Sequence, residues 1–157
     1  MPKMNFSVDD ETANDLLEQI EEGEIITWAE LSRFHKTRNG IYQTRGALKS
    51  LLTDLGKISK CYPDIETDDG NMLLYTGSGR RGNQKLDVRN RALLDAIRSK
   101  IPVPLFCKLA VNKWKYMGLW RVVDSEYVFE CTNKRMIWRF VLRPAIKTGN
   151  STMLNIY

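Results

Sequence analysis

Apolar positions along this chain follow different rhythms in different stretches, and each rhythm predicts a different element. In residues 9–22, Leu16, Leu17 and Ile20 form a narrow stripe behind Asp9 and Asp10, which predicts a capped helix ended by Gly23. Ile25-Ile26 reads as a short strand. Thr27, with Glu30 three residues on, reads as a capping box opening a second helix to about Phe34. Both helices are acidic, so the pair does not suit a helix-turn-helix, whose recognition helix should be basic. Residues 45–60 are ambiguous, because Leu48, Leu51, Leu52 and Leu55 have helical spacing while Gly56 breaks it. Asp68-Asp69-Gly70-Asn71 is a hairpin-type turn into a strand over 72–76.

The clearest helix covers 87–99, with Leu93, Leu94 and Ile97 inward and Arg89, Arg91 and Arg98 among its basic positions. Strands are then expected over 103–111, 118–124, 127–132 and 136–142. In the last, Arg135, Ile137, Arg139, Val141 and Arg143 alternate with Met136, Trp138, Phe140 and Leu142, and Pro144 stops it. Trp114, Trp120 and Trp138 read as core. Helices first, then mainly antiparallel strands with one inserted helix, predict an α+β domain on a curled sheet or small β-barrel. The expected division is an acidic N-terminal helical extension over 1–22, a binding domain over 23–144 and a tail over 145–157.

Composition narrows this further. With 157 residues, 43% hydrophobic and 27% charged, the chain suits one soluble globular domain. No apolar run is long enough to span a bilayer, and Met1-Pro2-Lys3-Met4-Asn5 does not open a secretory signal. Cys61, Cys107 and Cys131 are scattered, which suggests reduced thiols, each a strand filler, in a cytoplasmic protein, nucleoid-associated if prokaryotic. Residues 1–30 carry a net −8 and residues 31–157 a net +13, within an overall +5. A basic excess in one contiguous part of the chain favours a polyanion partner over a membrane surface.

Several chemistries drop out. The single histidine, His35, rules out paired-histidine metal chemistry and reads as a loop donor or an exposed side chain. There is no G-x-x-x-x-G-K-[ST] loop. Gly77-Ser78-Gly79-Arg80-Arg81-Gly82 spells G-x-G-x-x-G, but no helix opens at once and no acidic residue ends a second strand. Pro63-Asp64 followed by Asn83-Gln84-Lys85 is a degenerate match to a metal-dependent nuclease motif, lacking one carboxylate. No cofactor and no metal are expected, and catalysis by this chain alone is not.

What remains is a cluster of ring-binding groups. Tyr62-Pro63-Asp64 and Tyr75-Thr76-Gly77-Ser78-Gly79 place two aromatic rings, a carboxylate and a hydroxyl around a turn and a strand. Such groups suit one planar, hydrogen-bonding ring, which points to a nucleobase taken out of its helix. Each piece taken singly also has a plain structural reading: a packed tyrosine, a Pro-Asp turn, a glycine connection.

The joint pattern resembles SRA (SET- and RING-associated, or YDG) domains. The resemblance rests on those two stretches together with Gln84-Lys85-Leu86, Asn90-Arg91-Ala92-Leu93, Tyr116-Met117-Gly118-Leu119-Trp120 and Trp138-Arg139-Phe140-Val141-Leu142-Arg143-Pro144, in family order. The eponymous tripeptide stands as Tyr116-Met117-Gly118, with Met for Asp. The resemblance implies a PUA-like fold and a non-enzymatic reader of duplex DNA that flips out a modified cytosine, 5-methylcytosine or one with a larger 5-substituent. In bacteria and archaea it implies the recognition part of a modification-dependent restriction system, with a nuclease in another domain or chain. By the same resemblance, Tyr62 and Tyr75 sandwich the base, Asp64 accepts from its amine and Thr76 lies beside the 5-substituent. Glu66 rivals Asp64 for its role. Arg38, Asn39, Gly40, Ile41 and Tyr42 fall in a DNA-probing loop, with Ile41 or Tyr42 filling the gap left by the base. Ser78, Arg80 and Arg81 in the glycine turn, then Lys85, Arg89 and Arg91, are further DNA contacts. The glycine turn is shorter than in eukaryotic members, which removes the expectation of CpG or hemimethylation readout. The alternatives carried forward are a metal-dependent DNA nuclease using Asp64 and a general nucleic-acid-binding barrel with no modification preference.

Overall fold

The computed structural model describes residues 17–145. Its spine is a long hairpin of β7 (Lys113–Glu130) and β8 (Arg135–Pro144), paired antiparallel from Trp120 opposite Pro144 to Glu130 opposite Arg135. Around it stand β1 (Ile25–Ile26), β2 (Ile41–Thr44), β3 (Ala47–Thr53), β4 (Ile65–Glu66), β5 (Leu73–Thr76) and β6 (Val103–Ala110). The helices are α1 (Trp28–Leu31) and α2 (Val88–Ser99). The eight strands form one sheet ordered β2-β3-β6-β7-β8-β5-β4, with β1 added to β7. Its ends, β2 and β4, are not joined. The expected α+β curled sheet is therefore the form this chain takes, left open and not closed as a barrel.

One pairing departs from the antiparallel rule. β3 lies parallel to β6, with Leu51 opposite Leu105 and Thr53 opposite Cys107. Parallel neighbours need a long crossover, and here it runs from residue 54 to 102. That crossover carries Tyr62, Asp64, β4, β5, the glycine turn and α2. The same topological demand thus delivers every residue expected in the base pocket, though not the loop 38–42.

Two apolar clusters hold the sheet. Leu51, Leu73, Leu93, Leu105, Phe140 and Leu142 are fully buried between the sheet and α2. Ile26, Leu31, Phe34, Phe106, Trp114 and Tyr116 form a second cluster under α1. Both helix starts behave as the sequence reads. Thr27 and Glu30 make the reciprocal capping box, and Asp87 accepts from Asn90 N at 2.8 Å.

Three expectations change. The leucines at 48, 51, 52 and 55 belong to β3 and the loop after it, because β3 is an interior strand paired on both edges and burial overrides the helical spacing. The expected strands over 118–124 and 127–132 are one strand, β7. Ser125 and Glu126 stay paired with Phe140 and Arg139, and a register shift between Val122 and Asp124 absorbs the irregularity. Of the cysteines only Cys107 is a buried strand residue; Cys61 is half-buried and Cys131 exposed, both in turns. Residues 17–19 are helical, as expected, and 9–16 lie outside the described residues. No described helix is long and apolar enough to cross a membrane.

Candidate functional site

The first half of the crossover and the loop before β2 enclose a cleft of about 690 Å³. Its floor is polar and deep. Asp64 is 6% exposed, Thr76 and Tyr75 3% each. Asp64 Oδ2 accepts from the Thr53 hydroxyl at 2.6 Å, and Oδ1 accepts from Thr76 N at 2.7 Å. The carboxylate is thus fixed by one group from β3 and one from β5. A carboxylate has about four acceptor sites, so each oxygen keeps capacity for a further donor. Burial pushes the Asp64 carboxyl up to about 6, with the Thr53 and Thr76 hydrogen bonds holding it back. The Thr76 hydroxyl lies close enough to Asp64 to share in this, yet has no partner in hydrogen-bond geometry.

Tyr75 is locked in place by its phenol, which donates to Leu52 O at 2.9 Å and Gly40 O at 3.2 Å. Burial raises its pKa well above the ordinary value, and the nearby Asp64 charge adds to this. Tyr62 is half-buried and lines the same cleft. Burial raises its pKa too, partly offset by Arg135 and Arg80.

One wall is the glycine turn. Gly77 N donates to Trp138 O, and Asn90 holds Ser78 from both sides: Ser78 N donates to Oδ1 at 2.7 Å, and Nδ2 donates to Ser78 O at 3.0 Å. Gln84 Nε2 donates to Gly77 O at 2.7 Å and Gly79 O at 3.1 Å, while its Oε1 accepts from Trp138 N at 2.7 Å. Arg135 donates to Gly79 O and Gly82 O, and across to Cys61 O at 2.7 Å. This packing explains the glycine at 77. A Cβ there would sit 2.6 Å from Asn90 Oδ1 and 2.8 Å from Trp138 Cβ. At Gly79 the requirement is conformational, with φ at 124°.

The opposite wall is the loop 36–40, held by His35. That imidazole is fully buried, contrary to the exposed reading, and acts as a donor to the loop. Nε2 bonds the Asn39 carbonyl, which can only accept, so Nε2 carries the proton. Nδ1 then accepts from the Ser50 hydroxyl at 2.7 Å. With both nitrogens satisfied in the neutral form, burial lowers its pKa to about 4.

A family model for the SAD/SRA domain matches residues 35–146. The chain belongs to this family. Among solved structures it is similar to the SUVH5 SRA domain in complex with hemimethylated CG DNA. That match has 25% identity and a TM-score of 0.69, over 82% of this chain and 90% of that one. The same SRA domain bound to fully hydroxymethylated CG DNA matches at 25% identity and TM-score 0.65, over 82% and 91%. The modification-dependent TagI restriction endonuclease shares the fold at 18% identity and TM-score 0.66, over 81% of this chain but 50% of TagI. No curated protein matches.

Within this SRA domain the expected site residues divide. Tyr62, Asp64, Tyr75, Thr76 and Ser78 share the cleft with Arg38, Asn39, Gly40 and Ile41. Glu66 does not share it: its place on β4 puts it in a separate, smaller cleft with Glu22, Lys115 and Trp120. Ile41 is 4% exposed and packed in the main core, so it is not free to fill a gap in DNA. Tyr42 sits edge-on to His35, ring centres 5.7 Å apart. Arg80, Arg81, Lys85 and Arg91 are exposed and Arg89 half-buried. Among the described residues no group of three or more His, Cys, Asp or Glu comes together to hold a metal. Gln84, the middle of the nuclease-like triplet, is committed to the glycine turn.

The sequence reading missed Trp28, Lys108 and Asn112, which line the cleft mouth, and placed Trp114 only in the core. Trp28 N donates to Asn112 Oδ1 at 2.8 Å across 84 residues of chain. No local signal marks such a pairing. The only trace is the Val111-Asn112-Lys113 turn, where Asn112 adopts a φ of 59°.

Proposed function

We propose that this domain binds duplex DNA carrying a modified cytosine and takes the extruded base into the cleft floored by Asp64. The observation that carries this reading is the buried carboxylate, anchored on both oxygens at the bottom of an aromatic-lined cleft with Arg38 and Lys108 on its walls. The family match and the methylated and hydroxymethylated DNA in the similar SUVH5 complexes support it.

Cytosine presents an amine donor on its pairing edge. Asp64 accepts from it and disfavours thymine, whose carbonyl would face a negative charge. Tyr62 and Tyr75 supply ring faces, with stacking worth on the order of 1–3 kcal/mol per contact. This offsets part of the few kcal/mol that unstacking and unpairing cost. Burying one methyl adds only about 0.8 kcal/mol, so the preference for 5-methylcytosine over cytosine should be about fourfold from that term. The unpartnered Thr76 hydroxyl is placed to meet a polar atom of the base or its substituent. The role is recognition; cleavage belongs to another domain or chain.

Extrusion is tested with 2-aminopurine placed beside a single 5-methylcytosine in a duplex. Fluorescence should rise as binding saturates, because the neighbouring base loses its stacking partner. Saturable binding with unchanged fluorescence would show that the base stays in the helix.

A further inference from the structure

The cleft is much larger than one pyrimidine needs, and its two halves differ in kind. Away from Asp64 it runs out to a rim made by Trp28, Trp114, Arg38, Lys108 and the turn at Val111 and Asn112. The rim is open, with Val111 86% exposed. Trp28 and Trp114 meet at a ring-centre distance of 5.7 Å, tilted by 45°. The Arg38 guanidinium lies 5.9 Å from the Trp28 ring centre, and Lys108 Nζ lies 5.7 Å from that of Trp114. An indole shelf bearing two cations matches the chemistry of a nucleotide: π-faces for a base, positive charge for its phosphate.

The geometry points to a second nucleotide subsite on this rim, which takes the nucleotide next to the extruded one on the same strand. Its phosphate sits between Arg38 and Lys108, and its base or sugar lies against Trp28. This rests on the reading of the floor as the seat of an extruded base, since continuity of the cleft is what makes the adjacent nucleotide the occupant. Phosphate contacts set position and carry no sequence information. The rim therefore contributes to binding of modified and unmodified DNA alike, while the floor discriminates. The shelf is fixed beforehand by the Thr27–Glu30 capping box and by the Trp28–Asn112 hydrogen bond.

The test is titration of a fluorescent duplex with and without one 5-methylcytosine, over a range of salt, with the whole chain. Lys108→Ala and Trp28→Leu are compared with Asp64→Asn. Trp28→Leu keeps apolar volume against the core under α1, and circular dichroism checks the fold of each variant. Each rim substitution should weaken both duplexes by roughly tenfold, and Lys108→Ala should reduce the salt slope by about one. Asp64→Asn should instead remove the difference between the duplexes. Folded rim variants with wild-type affinity and salt slope would overturn the subsite while leaving the floor intact. Weakened rim variants alongside an inert Asp64→Asn would overturn the floor, and with it the placing of the rim's occupant beside an extruded base, leaving the rim as a backbone contact alone.

Discussion

The two walls of the cleft are built to different standards. The glycine turn is clamped by Gln84, Asn90 and Arg135, three buried side chains that together reach the backbone of Gly77, Ser78, Gly79 and Gly82. The loop 36–40 is held by two side chains, the neutral His35 at Asn39 and the Tyr75 phenol at Gly40, and by Leu52 N, which donates to Gly40 O at 2.8 Å. A buried amide that satisfies several backbone groups at once fixes their positions and leaves many orphans if lost. The contrast suggests a rigid turn wall, against which the base is registered, and a loop wall that can yield.

Asn90→Ala should test this most severely. It orphans Ser78 N, Ser78 O and Lys85 O, so chemical denaturation should show a loss of about 3 kcal/mol or more.

A pH effect of comparable size separates the floor from the loop wall. His35, lowered to about 4 from 6.5, stabilises the fold above pH 6.5 and loses that contribution as pH falls toward 4. Asp64, raised to about 6 from 3.8, works in the opposite direction, because the native state takes up a proton first as pH falls through 6. The two trends oppose one another between about pH 4 and 6 in the wild type. Asp64→Asn should expose the histidine, with stability falling by on the order of 3 kcal/mol from pH 6.5 to 4. Denaturation midpoints across that range would check it, and a wild-type profile in the variant would contradict it.

His35→Leu should cost about 1–3 kcal/mol at pH 7, by orphaning the Ser50 hydroxyl and the Asn39 carbonyl. Tyr75→Phe should cost least, about 1 kcal/mol, and hydrogen exchange should speed up in the loop 36–40 more than in the glycine turn. Equal acceleration in both would show that the walls are coupled.

Much of the site was legible because it is local. Tyr62-Pro63-Asp64 and Tyr75-Thr76 sit within one crossover, and the capping signals at Thr27 and Asp87 need only their own neighbours. What escaped depends on partners far along the chain. His35 stands in a polar, basic stretch and reads as exposed until Ser50 and Asn39 meet its two nitrogens. Arg135 reads only as one of three arginines on a strand face, because nothing nearby tells that it will reach Cys61 and Gly79. Ser125 and Glu126 read as a turn because strand continuity there is imposed by β8.

The central claim is that Asp64 reads an extruded modified cytosine. It is tested most directly by the ratio of affinities for a duplex with one 5-methylcytosine and its unmodified twin, in wild type and in Asp64→Asn. The account predicts a ratio of about fourfold or more in the wild type and near unity in the folded variant, because without the carboxylate the base is no longer held in the cleft and its methyl is not buried there. A ratio unchanged by the substitution, or already at unity in the wild type, would contradict it.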